Sequence, residues 1–254
     1  MTQIIAVANQ KGGVGKTTTV VNLAAGLAIA GSKTLVIDLD PQGNASTGLG
    51  VDKVNNNNTS YALLVKDSSV SDVISKTAIP DLDVIAANIN LAGAEIEMHY
   101  LPNKEKLLKG KLNAFTGDYK YIIIDTPPSL GLLTINSLVA ANEVIVPMQC
   151  EFFSLQGLTQ ILQTIKLINH KLNQELSLKG ILLTMHDRRN SLTASVEEDV
   201  RLNLGDIVFK TVIPRNVKLS EAPSHGKPGV LYDYRSAGAS AYINFIKEII
   251  ELDK

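Results

Sequence analysis

Ten residues near the N-terminus, Gln10-Lys11-Gly12-Gly13-Val14-Gly15-Lys16-Thr17-Thr18-Thr19, restrict this chain more than any other stretch. They follow the apolar run Ile4-Ile5-Ala6-Val7-Ala8 and precede Val20-Val21-Asn22-Leu23-Ala24-Ala25-Gly26-Leu27, which has a helical pattern. A strand, a glycine-rich turn, Gly-Lys-Thr and a helix, in that order, spell a phosphate-binding loop. Glycines let the backbone curl until several N–H groups face one anion. Lys16 adds a mobile positive charge for β- and γ-phosphates, and the Thr17 hydroxyl is a ligand for Mg²⁺. The helix that follows turns its positive end to the same point. One departure stands out. The common spelling has a glycine five residues before Gly15, where this chain has Gln10, and a second lysine, Lys11, precedes the glycine pair.

Two acidic strand ends supply what such a loop needs. Ile122-Ile123-Ile124-Asp125 has the form of a Walker B strand, whose carboxylate holds Mg²⁺ through water. Asp38-Leu39-Asp40-Pro41-Gln42-Gly43 places carboxylates at a turn forced by Pro41 and Gly43. From there Asp40 can orient and partly deprotonate an attacking water, while Asp38 can steady either Mg²⁺ or the loop. Period-2 alternation puts Asp38 and Asp40 on one side of a strand.

The rest of the chain fits one α/β domain. Its 254 residues, 45% hydrophobic and 19% charged, suffice for a sizeable core. Strand patterns at 33–40, 82–86, 119–125, 143–147, 178–185 and 207–213 alternate with helical ones near 61–64, 70–74, 91–112 (broken at Pro102), 154–170, 193–204 and 236–252. That alternation predicts a mostly parallel, twisted sheet with helices on both faces, as a single domain over 1–254 that the phosphate-binding loop makes P-loop NTPase-like. Lys104, Lys106, Lys109 and Lys111 read as a solvated face, with an acidic partner as the alternative. The single Cys150 excludes an internal disulfide framework and any multi-cysteine cluster. No apolar run reaches the roughly 20 residues of a membrane span, and a cytoplasmic protein is expected.

Taken together, Lys11 to Thr18, Asp38 to Gly43, Ile124 to Pro128 and Ile213-Pro214-Arg215-Asn216 resemble the ParA/Soj-type partition ATPases of the deviant-Walker ParA/MinD class. The resemblance covers nearly the whole chain. It implies ATP and Mg²⁺ as cofactors and an ATP-dependent sandwich homodimer in which Lys11 reaches the partner's nucleotide. It assigns Gly12, Gly13, Val14, Gly15, Lys16, Thr17 and Thr18 to the phosphates, Thr17, Asp38 and Asp125 to the metal, and Asp40, with Lys11 and Lys16, to catalysis. Pro214 and Asn216 would lie against the adenine. It also implies a ParB-type centromere-binding partner and a nucleoid-associated location. With no helix-turn-helix segment ahead of the P-loop, operator-specific autorepression is not expected.

DNA binding has a physical basis in the arginines. All five, Arg188, Arg189, Arg201, Arg215 and Arg235, lie in the last third of the chain. Arg188, Arg189, Arg215 and Lys218 are the candidates for a patch on non-specific double-stranded DNA. Against this, residues 181–236 carry eight Lys/Arg and seven Asp/Glu, so local ion pairing is the competing reading. Arg215 has two further readings, at the nucleotide and at the dimer interface. A MinD-like membrane role is the alternative function, but the C-terminal stretch 241–254 sets two lysines against three acidic residues, which does not suit an anionic bilayer. An electron-donating iron protein of the nitrogenase type shares the loop variant but needs more cysteine than one per chain.

Overall fold

The computed structural model describes residues 2–51, 57–151, 154–187 and 189–254. Strand β1 (Gln3–Val7) lies inside an eight-stranded sheet of order β3-β4-β2-β5-β1-β6-β7-β8. The other strands are β2 (Thr34–Asp38), β3 (Ser75–Lys76), β4 (Leu82–Ile85), β5 (Tyr121–Asp125), β6 (Glu143–Gln149), β7 (Ser177–His186) and β8 (Val208–Pro214). Every pairing is parallel except that of β3 with β4. Because β1 and β2 flank β5, Val7 and Asp38 both stand in register with Asp125. The ends of three strands therefore meet at one crevice, where open parallel sheets bind ligands.

Alternation along the strands divides the core between the two faces. Ile5, Val7, Val36, Tyr121 and Ile123 pack under helix α1 (Lys16–Ile29). Leu35, Ile37, Ile122 and Ile124 point the other way, into a cluster built with α3 (Ser60–Val65), α4 (Val70–Val73), α5 (Leu91–Met98), α6 (Leu107–Asn113) and α7 (Leu132–Ala140). Beyond β1 this second face continues under α8 (Ser154–Lys171) and α9 (Ser191–Leu204). Three short helices, α2 (Asn44–Gly48), α10 (Val217–Glu221) and α11 (Gly229–Tyr232), border the crevice side. Helix α12 (Ala237–Leu252) completes the α1 face, N-capped by Ser236.

Two expectations change, and two elements were not foreseen. The strand expected at 33–40 stops at Asp38, so alternation does not place Asp40; a turn does, with Gly43 N–H donating to the Asp40 carbonyl at 2.8 Å. Helix α7 carries no polar stripe, since it is buried over most of its surface, and its apolar run merges with the loop before it. Two-residue β3 is too short to leave a pattern. Of the lysines expected on a solvated face, Lys106 is exposed, whereas Lys109 donates to Asn173, Lys111 pairs with Asp67, and Lys104 reaches the His99 carbonyl.

The apolar face of α12 is spent in the core. Tyr242, Phe245, Ile246 and Ile249 are buried there, each aromatic contributing about 1.5–3 kcal/mol. The Tyr242 hydroxyl also meets that of Thr19 on α1 at 3.1 Å. Beyond the helix, the Asp253 carboxylate accepts from Lys179 Nζ at 2.6 Å and from the Tyr121 hydroxyl at 2.8 Å, which ties the end of the chain to the base of the sheet. Close contact between α1 and α12 requires Gly26, because a Cβ there would run into the Ile246 side chain. Gly26→Val should accordingly lower stability by about 1–3 kcal/mol in urea unfolding, with an unchanged m-value.

Candidate active site

The loop between β1 and α1 owes its curl to Gly13 (φ 70°) and Gly15 (φ 85°), both in the left-handed region that other residues avoid. Helix α1 begins at Lys16 with no side-chain cap, which leaves its first N–H groups directed at the loop. Lys16 is buried, and its Nζ donates to the Lys11 carbonyl at 3.2 Å. Burial lowers its pKa, while the charges of Asp125 and Asp40 oppose that shift.

Asp125 stands at the centre of the crevice. The Thr17 hydroxyl donates to its Oδ2 at 2.8 Å, whereas Oδ1 is buried and has no partner among the described residues. Desolvation, reinforced by the neighbouring Asp38, raises its pKa well above the usual carboxylate range. A buried carboxylate oxygen with nothing to accept from, beside a threonine hydroxyl, suits a hard divalent cation with oxygen ligands. The residues therefore fit Mg²⁺.

Asp38 has a different occupation. Its Oδ2 accepts from Ser46 N–H at 2.8 Å and from the Ser46 hydroxyl at 2.7 Å, and its Oδ1 from Asp40 N–H at 3.1 Å. Of its two sequence readings, steadying the loop is the one these contacts serve. Burial raises its pKa to about 6. Ser46, on α2, was not anticipated; it lies eight residues from Asp38 in a small-residue stretch with no motif to mark it. Asp40 is nearly buried, and its Oδ1 accepts from Gln42 N–H at 2.9 Å. The crevice thus holds Asp40, Asp125, Lys16 and Thr17 together.

Beside Gly15 and Thr18 opens a cavity of about 330 Å³ lined by Met185, Ile213, Pro214, Arg215 and Asn216, with Tyr242 at its base. Its lining is largely apolar, and it opens next to the phosphate loop. Asn216 Oδ1 is engaged in capping α10 through Lys218 N–H at 3.0 Å, which leaves its amide nitrogen as the group for a ligand. A larger cavity of 740 Å³, lined by His186, Glu197 and Lys210, has no glycine-rich loop beside it.

Among the described DNA candidates, Arg189 and Lys218 are each engaged by a nearby acid. Arg189 makes two 3.0 Å hydrogen bonds to the Asp187 carboxylate, which holds that acid down to about 2. Lys218 pairs with Glu221 at 2.9 Å. Arg215 lines the 330 Å³ cavity and also a neighbouring one of about 200 Å³ with Asp187 and Glu151. Arg188 lies outside the described residues. Sequence reasoning also missed the end of β6, where Gln149 donates to the Gly13 carbonyl at 2.8 Å and Glu151 meets Lys11 at 2.6 Å.

A protein family described as an AAA domain matches residues 2–178. The chain is similar to the sporulation initiation inhibitor protein Soj of Bacillus subtilis, with 54% identity over 98% of each chain. It is also similar to the chromosome partitioning protein ParA of Caulobacter vibrioides, at 49% identity over 99% of this chain and 95% of that one. Among solved structures, one titled cobyrinic acid a,c-diamide synthase from Mycobacterium smegmatis, with bound ADP and magnesium, superposes with a TM-score of 0.85 and 37% identity, over 98% of this chain and 94% of the other.

Proposed function

Because the chain belongs to the ParA/Soj family of chromosome-partitioning ATPases, we propose that it binds ATP with Mg²⁺, dimerises on the bound nucleotide, and holds non-specific double-stranded DNA as that dimer. A ParB-type partner would stimulate hydrolysis and so release it, in the cytoplasm and on the nucleoid. The observation that carries the ATPase reading is the unpartnered, buried Asp125 Oδ1 beside the Thr17 hydroxyl, at the foot of an uncapped helix N-terminus. Thr17 and Asp125 would hold the Mg²⁺, which supplies charge neutralisation of the phosphates when bound. Gly12, Gly13, Val14, Gly15 and Thr18 would offer backbone N–H groups to the phosphates, and Lys16 its ammonium. Pro214 and Asn216 would face the adenine. Asp40 would orient the attacking water and accept its proton.

Lys11 lies on the outer side of the loop, part-exposed, and would neutralise the nucleotide of a second subunit as an arginine finger does in trans. For DNA, the exposed Arg189 is paired with a part-exposed carboxylate, an interaction that phosphates can replace at little cost. Arg188, Arg215 and Lys218 complete the proposed patch, which dimerisation would double. Packing of the apolar face of α12 in the core supports this reading over the membrane alternative.

Binding to a non-specific duplex with ATP, ADP or no nucleotide tests this reading. DNA should be retained with ATP alone, retention should persist in Asp40→Ala, and Arg189→Ala should weaken it. The log–log salt slope of the arginine variant should fall by about 0.9 for each phosphate that is no longer neutralised. Tight binding to anionic vesicles with none to DNA would move the function to the membrane.

A further inference from the structure

Lys11 does not project freely from the loop. Its backbone is anchored: Lys11 N–H donates to Asn9 Oδ1 at 3.0 Å, and Asn9 Nδ2 in turn donates to the Pro147 carbonyl of β6 at 2.7 Å. Its carbonyl accepts from Lys16 Nζ. Its side chain then bends toward the end of β6, where Nζ meets Glu151 Oε2 at 2.6 Å and reaches the Ser154 hydroxyl at 3.4 Å. With the backbone fixed at both groups, only side-chain torsions remain to bring the ammonium elsewhere.

We propose that Glu151 is a positioning residue that holds Lys11 within its own chain, so that the nucleotide on a second subunit must win the lysine from it. This rests on the reading that Lys11 serves a second subunit's nucleotide. Glu151 offers one carboxylate charge, whereas a triphosphate offers several, so ATP outcompetes Glu151 more readily than ADP does. Discrimination between the two nucleotides is thereby sharpened: the ion pair opposes association of subunits whenever the phosphate charge is too low to replace it. Ser154, the first residue of α8, is a weaker second contact that directs the ammonium along the carboxylate.

The strength of such a brake follows from exposure. The side chains of Lys11 and Glu151 are 35% and 52% exposed, so solvent screens the pair and its removal shifts an equilibrium by up to about fivefold per chain. A symmetric dimer breaks two such pairs, and the factor is squared to as much as about twenty-fivefold.

The test is sedimentation equilibrium with Mg²⁺ and a non-hydrolysable ATP analogue, on the full chain, for the wild type, Glu151→Gln, Lys11→Ala and the double variant, with analogue affinity measured separately on dilute protein. Glu151→Gln should dimerise about four- to twenty-fivefold more tightly than wild type at 50 mM salt, with the gap closing at 1 M. Lys11→Ala should itself associate weakly for want of the bridging lysine, and the double variant should associate no more tightly than it, because no lysine remains to be held; tighter association of the double variant than of Lys11→Ala would assign Glu151 a merely structural role and overturn the proposal. ADP-dependent association should also rise in Glu151→Gln. Unchanged or weaker dimerisation of Glu151→Gln overturns the proposal. If the wild type remains monomeric with the analogue, the dimer reading itself fails for the wild type. The brake is then judged on Glu151→Gln alone: a dimer there supports it and a monomer overturns it.

Discussion

Asp40→Ala is expected to lower ATP turnover by about 10²–10⁴-fold while changing ATP affinity by less than about threefold. Asp40 lies in the crevice with Asp125 and Lys16, on a loop that is held mainly by backbone groups and by Asp38. Gly43 closes the turn at φ 62°, Asp38 fixes both Asp40 N–H and Ser46, and Gln42 N–H occupies one oxygen of the Asp40 carboxylate. The phosphates, by contrast, would be met by backbone groups and Lys16; Asp40 acts on Lys16 only through its charge, which with that of Asp125 opposes the lowering of the ammonium's pKa by burial. Asp40→Asn separates chemistry from architecture, since the amide oxygen keeps the Gln42 hydrogen bond but accepts no proton at neutral pH. Single-turnover hydrolysis and equilibrium nucleotide binding, measured on both variants, should give the same loss of rate and the same retained affinity. A large drop in affinity in Asp40→Asn would move Asp40 from the reacting water to the nucleotide. Asp38→Ala should differ in kind, loosening the loop and lowering thermal stability along with turnover.

The parts of this site that were legible in the sequence are those in which one local segment carries the whole device. Gly13, Gly15, Lys16 and Thr17 lie within five residues, and their chemistry requires those residue types in that order. Asp125 could be read because a buried strand ending in a carboxylate is itself a local pattern. What could not be read are the pairings that the sheet order creates. Glu151 reaches Lys11 across 140 residues, because β6 runs beside β1 and ends level with the loop. Ser46 holds Asp38 through a short helix of small residues that has no hydrophobic period. Helix α7 was hidden because burial on nearly all sides removes the amphipathic stripe on which helix recognition depends. The late basic residues were legible in part. Charge counting suggested balance, and among the described residues Arg189, Arg201 and Lys218 each sit on a nearby acid.

Two buried carboxylates facing each other set the second large effect, on stability against pH. In EDTA the protein should become less stable as pH rises from about 4 to 7, by on the order of 2–3 kcal/mol, or about 4–12 °C in Tm. The sign follows from the direction of the shifts. Burial raises Asp38 to about 6 and Asp125 further above its ordinary value, so between pH 3.8 and those values the folded chain binds more protons than the unfolded one. Stability then falls with rising pH across that interval, and the penalty is complete above the folded pKa values. Asp187 does not mask the trend: its pKa is lowered to about 2, so the stability it contributes is lost only at a more acid pH. Asp125→Asn removes one of the two charges and the repulsion it exerts on Asp38. It should therefore be more stable than wild type at pH 7.5 in EDTA and show a shallower pH slope. Mg²⁺ should reverse the order, since a cation binds the ionised carboxylate and stabilises the fold by mass action, increasingly so above pH 6. The asparagine variant should lose that response while folding normally, which separates a metal ligand from a structural carboxylate. If wild-type stability in EDTA is flat or rises over this range, the two carboxylates are not the strained pair that their burial implies, and a gain from Mg²⁺ that survives Asp125→Asn would assign the cation to other oxygens.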